Sequence, residues 1–394
     1  MRNFTYYTPT KIYFGDDAEM HVGEDLKKRG ATKVLIHYGS ERIRKNGLFD
    51  RVACQLDEQG IAYVALGGVQ PNPTIQFARQ GIELCRREGV DFLLAIGGGS
   101  VLDSTKAIRL GLSLNIDPWE AITKGISPDN PVPMGSILTM AAAGSEMSNS
   151  CVLTDEERHL KRGCNFDGNR PTVAFMNPAL TATTPAYQTA AGITDIMMHS
   201  MERYLTNEPA TPLTDAVCLG ILCTVKEQGA LLMKDLTNVE LRGEIMWASS
   251  ISHNNLTELG RAKRTFTAHR IEHDISGVHD VTHGAGLAVV FPAWCLAEAP
   301  YGVERFYSLM HELWDAPEAD TESEMLESVK AGVENMRAYY RSIGMPTHMS
   351  ELGVDPSEYE YISGLTTNGG TLEAPSFRGK LTQQDIIDIY RLAE

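Results

Sequence analysis

The chain reads as two successive domains, an α/β domain on a parallel sheet and then a mostly helical one. Three observations predict this. Short β-rich apolar runs alternate with helical stretches through the first half. The connections between them are short, as in a sheet covered on both faces. After the "TATTPAYQTA" segment (181–190) strand-like runs become scarce, which places the boundary near residue 185 and gives domains 1–185 and 186–394.

The expected strands are "KVLIHYG" (33–39), "IAYVAL" (61–66), "DFLLAIGGG" (91–99), "MGSILTM" (134–140) and "TVAFMN" (172–177). Helical stretches lie between them at 49–60 and 74–89, the second closing on Arg86, Arg87 and a glycine, as a helix C-terminus prefers. Beyond residue 185, the stretches 186–205, 213–234 and 322–344 have helical spacing.

With 43% apolar and 22% charged residues, the 394-residue chain is an ordinary globular composition. It lacks an 18-residue apolar run, and "MRNFTYYTPTKIYFG" has no apolar signal core, so neither a membrane span nor secretion is expected. Seven cysteines without a C-x-x-C pair point to a reduced, cytoplasmic chain. The net charge of −16 disfavours nucleic acid or an anionic membrane as partner, leaving small-molecule chemistry.

"AIGGGSVLDSTKAI" follows an expected strand and opens an expected helix. Gly97, Gly98 and Gly99 let the backbone approach a ligand, and Ser100 suits an N-cap, so the turn meets the physical needs of a pyrophosphate site without matching G-x-G-x-x-G. Asp103, three residues on, would complete a capping box. Dinucleotide enzymes often carry an acidic residue at the end of an earlier strand; here Gly39 and Ser40 stand there, with Arg42, Arg44 and Lys45 close behind. That pattern leans towards a phosphorylated cofactor.

In "GITDIMMHSMERYL", Asp195 and His199 are four apart and share a helix face among apolar neighbours. "HRIEHDISGVHDVTH" (269–283) holds four of the eleven histidines, paired four apart as His269/His273 and His279/His283, with Gly277 expected to interrupt a helix between the pairs. One Asp and three His would complete a divalent metal site, although spacing leaves open which histidines bind.

Taken in order, "GGGSVLDSTKAI", "AGSEM", "AGITDIMMHSMERYL", "MWASSISHNNL" and the 269–283 stretch resemble the iron-containing (group III) alcohol dehydrogenase family, most closely its butanol dehydrogenase and NADPH-dependent aldehyde reductase branch. The likeness runs from "PTKIYFG" through "QPNPT" to "NGGTL". It implies a Rossmann-like dinucleotide-binding domain and a helical metal-binding domain, with NAD(P) in the cleft between them and one Fe²⁺ or Zn²⁺. Asp195, His199, His269 and His283 match the family's metal ligands, and His273 a histidine beside the metal, which suits a catalytic proton relay. Gly97, Gly98, Gly99 and Ser100 match the pyrophosphate turn; Asn72, Thr139, Ser145 and Lys161 match positions lining the cofactor. Gly39 and Ser40 match the adenosine-ribose end in the branch that favours NADP(H) over NAD(H). Trp247, His253 and Asn254 are candidate pocket residues, as is His279, which falls at a variable position. Ala143 and Asn177 depart from a common threonine and aspartate.

The resemblance implies hydride transfer between NADP(H) and small primary alcohols or aldehydes in a homodimer, the metal acidifying the alcohol. Two other readings are a metal- and NAD-binding lyase or synthase of the dehydroquinate-synthase type, and a non-catalytic dinucleotide-binding sensor.

Overall fold

The apolar runs of the first half assemble into one parallel sheet. In the computed structural model, which describes residues 1–207, 211–261 and 266–394, the strands are β1 (Lys11–Phe14), β2 (Lys33–Tyr38), β3 (Ala62–Gly67), β4 (Phe92–Gly97), β5 (Met134–Leu138), β6 (Ser150–Asp155), β7 (Leu160–Asn165) and β8 (Val173–Met176). Six of them form a sheet in the order β1-β8-β5-β4-β2-β3, every pair parallel, while β6 and β7 make a separate antiparallel hairpin.

Alternation along β4 explains its near-continuous apolar sequence. Phe92, Leu94 and Ile96 pack with Leu48, Val52 and Leu56 of the Leu48–Glu58 helix. Leu93 and Ala95 face the other way, onto Ile82 of the Ile75–Glu88 helix and Leu102 and Ile108 of the Gly99–Leu114 helix. Both faces are covered, so both sets are apolar. The chain steps outward from β2 to β3, then crosses back to place β4 on the other side of β2, with Tyr38 opposite Ile96. The C-terminal ends of β2 and β4, which lead into Gly39 and the glycine turn, are therefore neighbours at a topological switch point, where open α/β sheets bind ligands.

The chain divides into two compact units. One comprises Tyr7–Thr184 with Leu236–Ser250, the other Met1–Tyr6, Pro185–Asp235 and Ile251–Glu394. Segment 236–250 joins the sheet-bearing unit through hydrogen bonds: Ser249 Oγ accepts the Gly144 N–H (3.0 Å), and Ser250 Oγ donates to the buried Glu146 carboxylate (2.5 Å). At the other end, Arg2 N–H donates to Gly260 O (2.9 Å). The helical unit contains the Ala186–Tyr204, Pro212–Leu232 and Glu322–Ser342 helices where periodicity put them, and one antiparallel hairpin, β9 (Thr371–Ser376) with β10 (Gly379–Thr382). No described helix is long and apolar enough to cross a membrane.

Three local expectations change. The strand expected over 91–99 ends at Gly97, and the helix starts at Gly99 with Gly98, not Ser100, as N-cap; Ser100 lies inside the first turn. Asp103 closes no capping box, because its carboxylate accepts from Ser145 Oγ and Val152 N–H instead. Gly277 does not interrupt its helix: Thr267–His279 runs through it, and the break comes at Asp280, in the left-handed region (φ 50°).

Candidate active site

The break at Asp280 brings the histidines together. His269 and His273 lie on the Thr267–His279 helix, and His283 opens the next one, His283–Glu298. That helix sits tight against Ala186–Tyr204: a Cβ on Gly284 would lie 2.0 Å from Ala191 O, so only glycine permits the approach. Asp195 and His199 project from the facing helix. The Nε2 atoms of His199, His269 and His283 then stand 3.7, 3.7 and 3.8 Å from one oxygen, Asp195 Oδ1.

These separations are too long for hydrogen bonds. They are near the roughly 3.4 Å expected between ligand atoms that share a cation at about 2.1 Å. Asp195 Oδ1 and His269 Nε2 are buried and have no hydrogen-bond partner. Buried polar atoms are normally satisfied, so the donor set fits a divalent cation. The opposite ring nitrogens are committed: His269 Nδ1 to the Glu202 carboxylate, His283 Nδ1 to that of Glu272, both glutamates fully buried. Each carboxylate fixes the tautomer in which Nε2 carries the lone pair towards the centre. Burial opposes charging His269, but the Glu202 and Asp195 carboxylates outweigh it and push its pKa up to about 9. Burial likewise works to raise Asp195, and the surrounding imidazoles hold it below the ordinary carboxyl value.

His283 is 27% exposed while Asp195 and His269 are each 6%, so the cluster opens on the His283 side. The half-buried His273 stands on that side, its ring 5.5 Å from that of His283. The His253 ring lies 3.9 Å from that of His199, and the Arg203 guanidinium donates to its Nδ1 at 3.4 Å. Asn254 is buried and accepts the Leu256 N–H (3.0 Å). His279 faces Glu358 at 3.3 Å. Trp247 belongs to the other unit, exposed and edge-on to Phe14.

The cofactor candidates gather at the C-terminal end of the sheet. A Cβ on Gly98 would come within 3.1 Å of the Met140 side chain, so the turn has little room beyond bare backbone. Thr139 N–H donates to Gly97 O (3.1 Å), holding the end of β5 beside the turn. Lys161, on β7, donates to Asn72 Oδ1 at 3.0 Å. Gly39 is hemmed in by Val69 O and Val101 Cγ2, and Ser40 is exposed. Arg44 is pinned, donating to Tyr38 Oη (2.9 Å) and lying over the Phe49 ring. Asn177 caps the short Pro178–Thr181 helix and donates to Glu19, a structural task.

Glu202 and Glu272 escaped the sequence reading. The available signal was a carboxylate three residues after His199 and another three after His269, each on an otherwise buried helix face.

Comparison with known proteins agrees with this architecture. The model for "Iron-containing alcohol dehydrogenase" matches residues 9–178, and that for "Fe-containing alcohol dehydrogenase family, C-terminal" matches 189–393. The chain is 36% identical to a probable NADH-dependent butanol dehydrogenase 2 of Bacillus subtilis, covering 99% of both. It is 32% identical to the NADPH-dependent aldehyde reductase YqhD of Escherichia coli, covering 91% of both. The crystal structure of an NADH-dependent butanol dehydrogenase A from Thermotoga maritima superposes with a TM-score of 0.94 at 30% identity, over 100% of this chain and 99% of that one. The chain belongs to the iron-containing alcohol dehydrogenase family and is a metal-dependent, NAD(P)-linked oxidoreductase of alcohols and aldehydes.

Proposed function

We propose that the protein reduces small aldehydes with NADP(H), holding one Fe²⁺ or Zn²⁺ on Asp195, His199, His269 and His283. The observation that carries the metal reading is the convergence of three Nε2 atoms on one buried carboxylate oxygen. A divalent cation there supplies Lewis acidity towards the substrate oxygen, and the nicotinamide supplies the hydride. Glu202 and Glu272 keep the two imidazoles in the binding tautomer. Gly97, Gly98, Gly99 and Ser100 offer backbone N–H groups to the pyrophosphate, flanked by Thr139, Ser145 and the Asn72–Lys161 pair. His273, on the open side, exchanges a proton between the substrate oxygen and solvent. His253 and Asn254 line the substrate side; Trp247 packs on Phe14 and His279 faces Glu358.

The preference for NADP(H) rests on Gly39 and Ser40 at the end of β2. Neither residue is a carboxylate that would repel a 2′-phosphate; the next one, Glu41, is engaged by Tyr38 Oη (3.0 Å) and Arg44 (3.4 Å), while Arg42 and Lys45 form no ion pair among the described residues. NAD(H) is the second reading, favoured by the NADH dependence named for the Bacillus subtilis and Thermotoga maritima relatives. Initial rates of butanal reduction with NADPH and with NADH decide: a higher kcat/KM with NADPH, lost in Arg42→Ala/Lys45→Ala, supports the first, and a higher value with NADH rejects it.

We also propose a cytoplasmic homodimer. Free cysteines, five of seven buried, suit a reducing compartment. The edge position of β1 and the exposed Phe14 and Trp247 beside it offer a surface for a second copy. Light scattering giving a monomer mass would reject the dimer.

A further inference from the structure

A buried cation lies behind the glycine turn, in a place the reaction does not require. Lys106, on the Gly99–Leu114 helix, has no exposed surface. Its three protons meet three acceptors: Ser145 Oγ (2.7 Å), Ser148 O (3.1 Å) and Ser150 O (2.8 Å). Ser145 Oγ passes its own proton to Asp103 Oδ1 (2.9 Å), while Asp103 Oδ2 accepts the Val152 N–H (3.2 Å). Asp103 Oδ1 itself is 3.9 Å from the ammonium.

Taking an ammonium out of water is costly, and a methionine would fill the same volume without that cost. What the charge adds is geometry. One side chain with three donors joins three separate segments: the helix that opens on the glycine turn, the 144–148 turn, and β6. Through the β6–β7 register, which sets Thr154 opposite Lys161, it also braces the strand that carries Lys161.

We propose that Lys106, with Asp103 as its counter-charge, is a positioning residue for the nicotinamide cofactor. The pair holds the 144–148 turn and the hairpin against the glycine-turn helix, so the pyrophosphate end of the site is formed before the cofactor arrives. Ser145 is the link in this clamp. Its hydroxyl accepts from Lys106 and donates to Asp103, which leaves its proton engaged within the protein. The inference rests on the glycine turn being the pyrophosphate site.

The test uses full-length, metal-loaded Lys106→Met, with cofactor Kd from nicotinamide fluorescence and KM values for cofactor and aldehyde. Cofactor Kd and KM should rise at least about tenfold, with aldehyde KM and kcat at saturating cofactor within about threefold of wild type. Asp103→Asn/Lys106→Met removes the stranded carboxylate, provides a second variant should the first fail to fold, and should show the same loss. A folded variant of either kind with the wild-type cofactor Kd overturns the proposal, as does a kcat that falls in step with cofactor affinity. Gly98→Val separates the two readings. If it binds cofactor normally, the glycine-turn assignment fails and the clamp with it; if it loses the cofactor while Lys106→Met does not, only the clamp fails.

Discussion

The two candidate centres are built from different parts of the polypeptide. In the helical unit, Asp195 and three histidines project side chains towards one point, and their geometry depends on further buried carboxylates. In the sheet-bearing unit, the glycine turn offers backbone, shaped by strand order and by what a Cβ would strike. A side-chain site fails when one atom is removed. A backbone site fails when something is added.

The largest effect should follow from that difference. Asp195→Ala removes the oxygen on which the three Nε2 atoms converge, and His283→Ala removes the proposed ligand at the open side. Each should lower bound metal, read by elemental analysis, to near zero and turnover by about a thousandfold or more, with cofactor binding retained. Full turnover in metal-stripped protein would refute the assignment.

Next come the carboxylates behind the imidazoles. Glu202→Gln and Glu272→Gln keep the shape but can present an N–H to His269 or His283 Nδ1, favouring the wrong tautomer. Metal affinity in competition with a chelator should fall about 10–100-fold. An unchanged affinity would mean that packing alone orients the rings.

The same contrast governs what could be read from sequence. The glycine turn was legible because its requirements are local: a strand, three glycines, a helix. Its boundaries were off by one cap, since Gly98 takes the place expected of Ser100. The histidines were legible as a cluster, but the fold of "HRIEHDISGVHDVTH" was not. Its helix break depends on Asp280 adopting a left-handed conformation, which glycine takes up more readily than aspartate, so the sequence points to Gly277 instead. The β6–β7 hairpin was missed because "SCVLTD" and "LKRGCN" are short and half polar; Thr154 N–H to Pro73 O and the Lys161–Asn72 bond tie it to a distant loop. Partners far apart in sequence, Glu202 to His269 above all, leave no local pattern.

Two buried histidines sharpen the comparison through pH. His37, on β2, contacts neutral partners among the described residues, with Leu66 O at 2.9 Å from Nδ1 and Ser104 Oγ at 2.9 Å from Nε2. Burial drives its pKa down to about 4, with the Leu66 bond opposing, whereas His269 beside Glu202 goes up. The native pKa of His37 lies below the unfolded value near 6.5, so the unfolded chain takes the proton first as pH falls. The stabilisation is therefore complete above pH ~6.5 and lost on acidification from there to about 4, in all roughly 3 kcal/mol. Denaturant titrations at a series of pH values should show this slope in wild type and its absence in His37→Gln. An equal slope in both would place the acid sensitivity elsewhere.

The smallest effect concerns His273, which stands beside the proposed metal cluster next to His283. Its ring is 5.5 Å from that of His283, on the side where the cluster opens. A ligand lost from the cation should remove metal; a relay lost from beside it should not. His273→Ala is thus expected to keep full metal content and cofactor affinity while kcat falls about tenfold and the shape of the pH–rate profile changes. A small diffusible base such as imidazole should then restore part of the rate. An unchanged pH profile with a raised aldehyde KM would make His273 a wall of the pocket and leave proton exchange to water at the open side of His283.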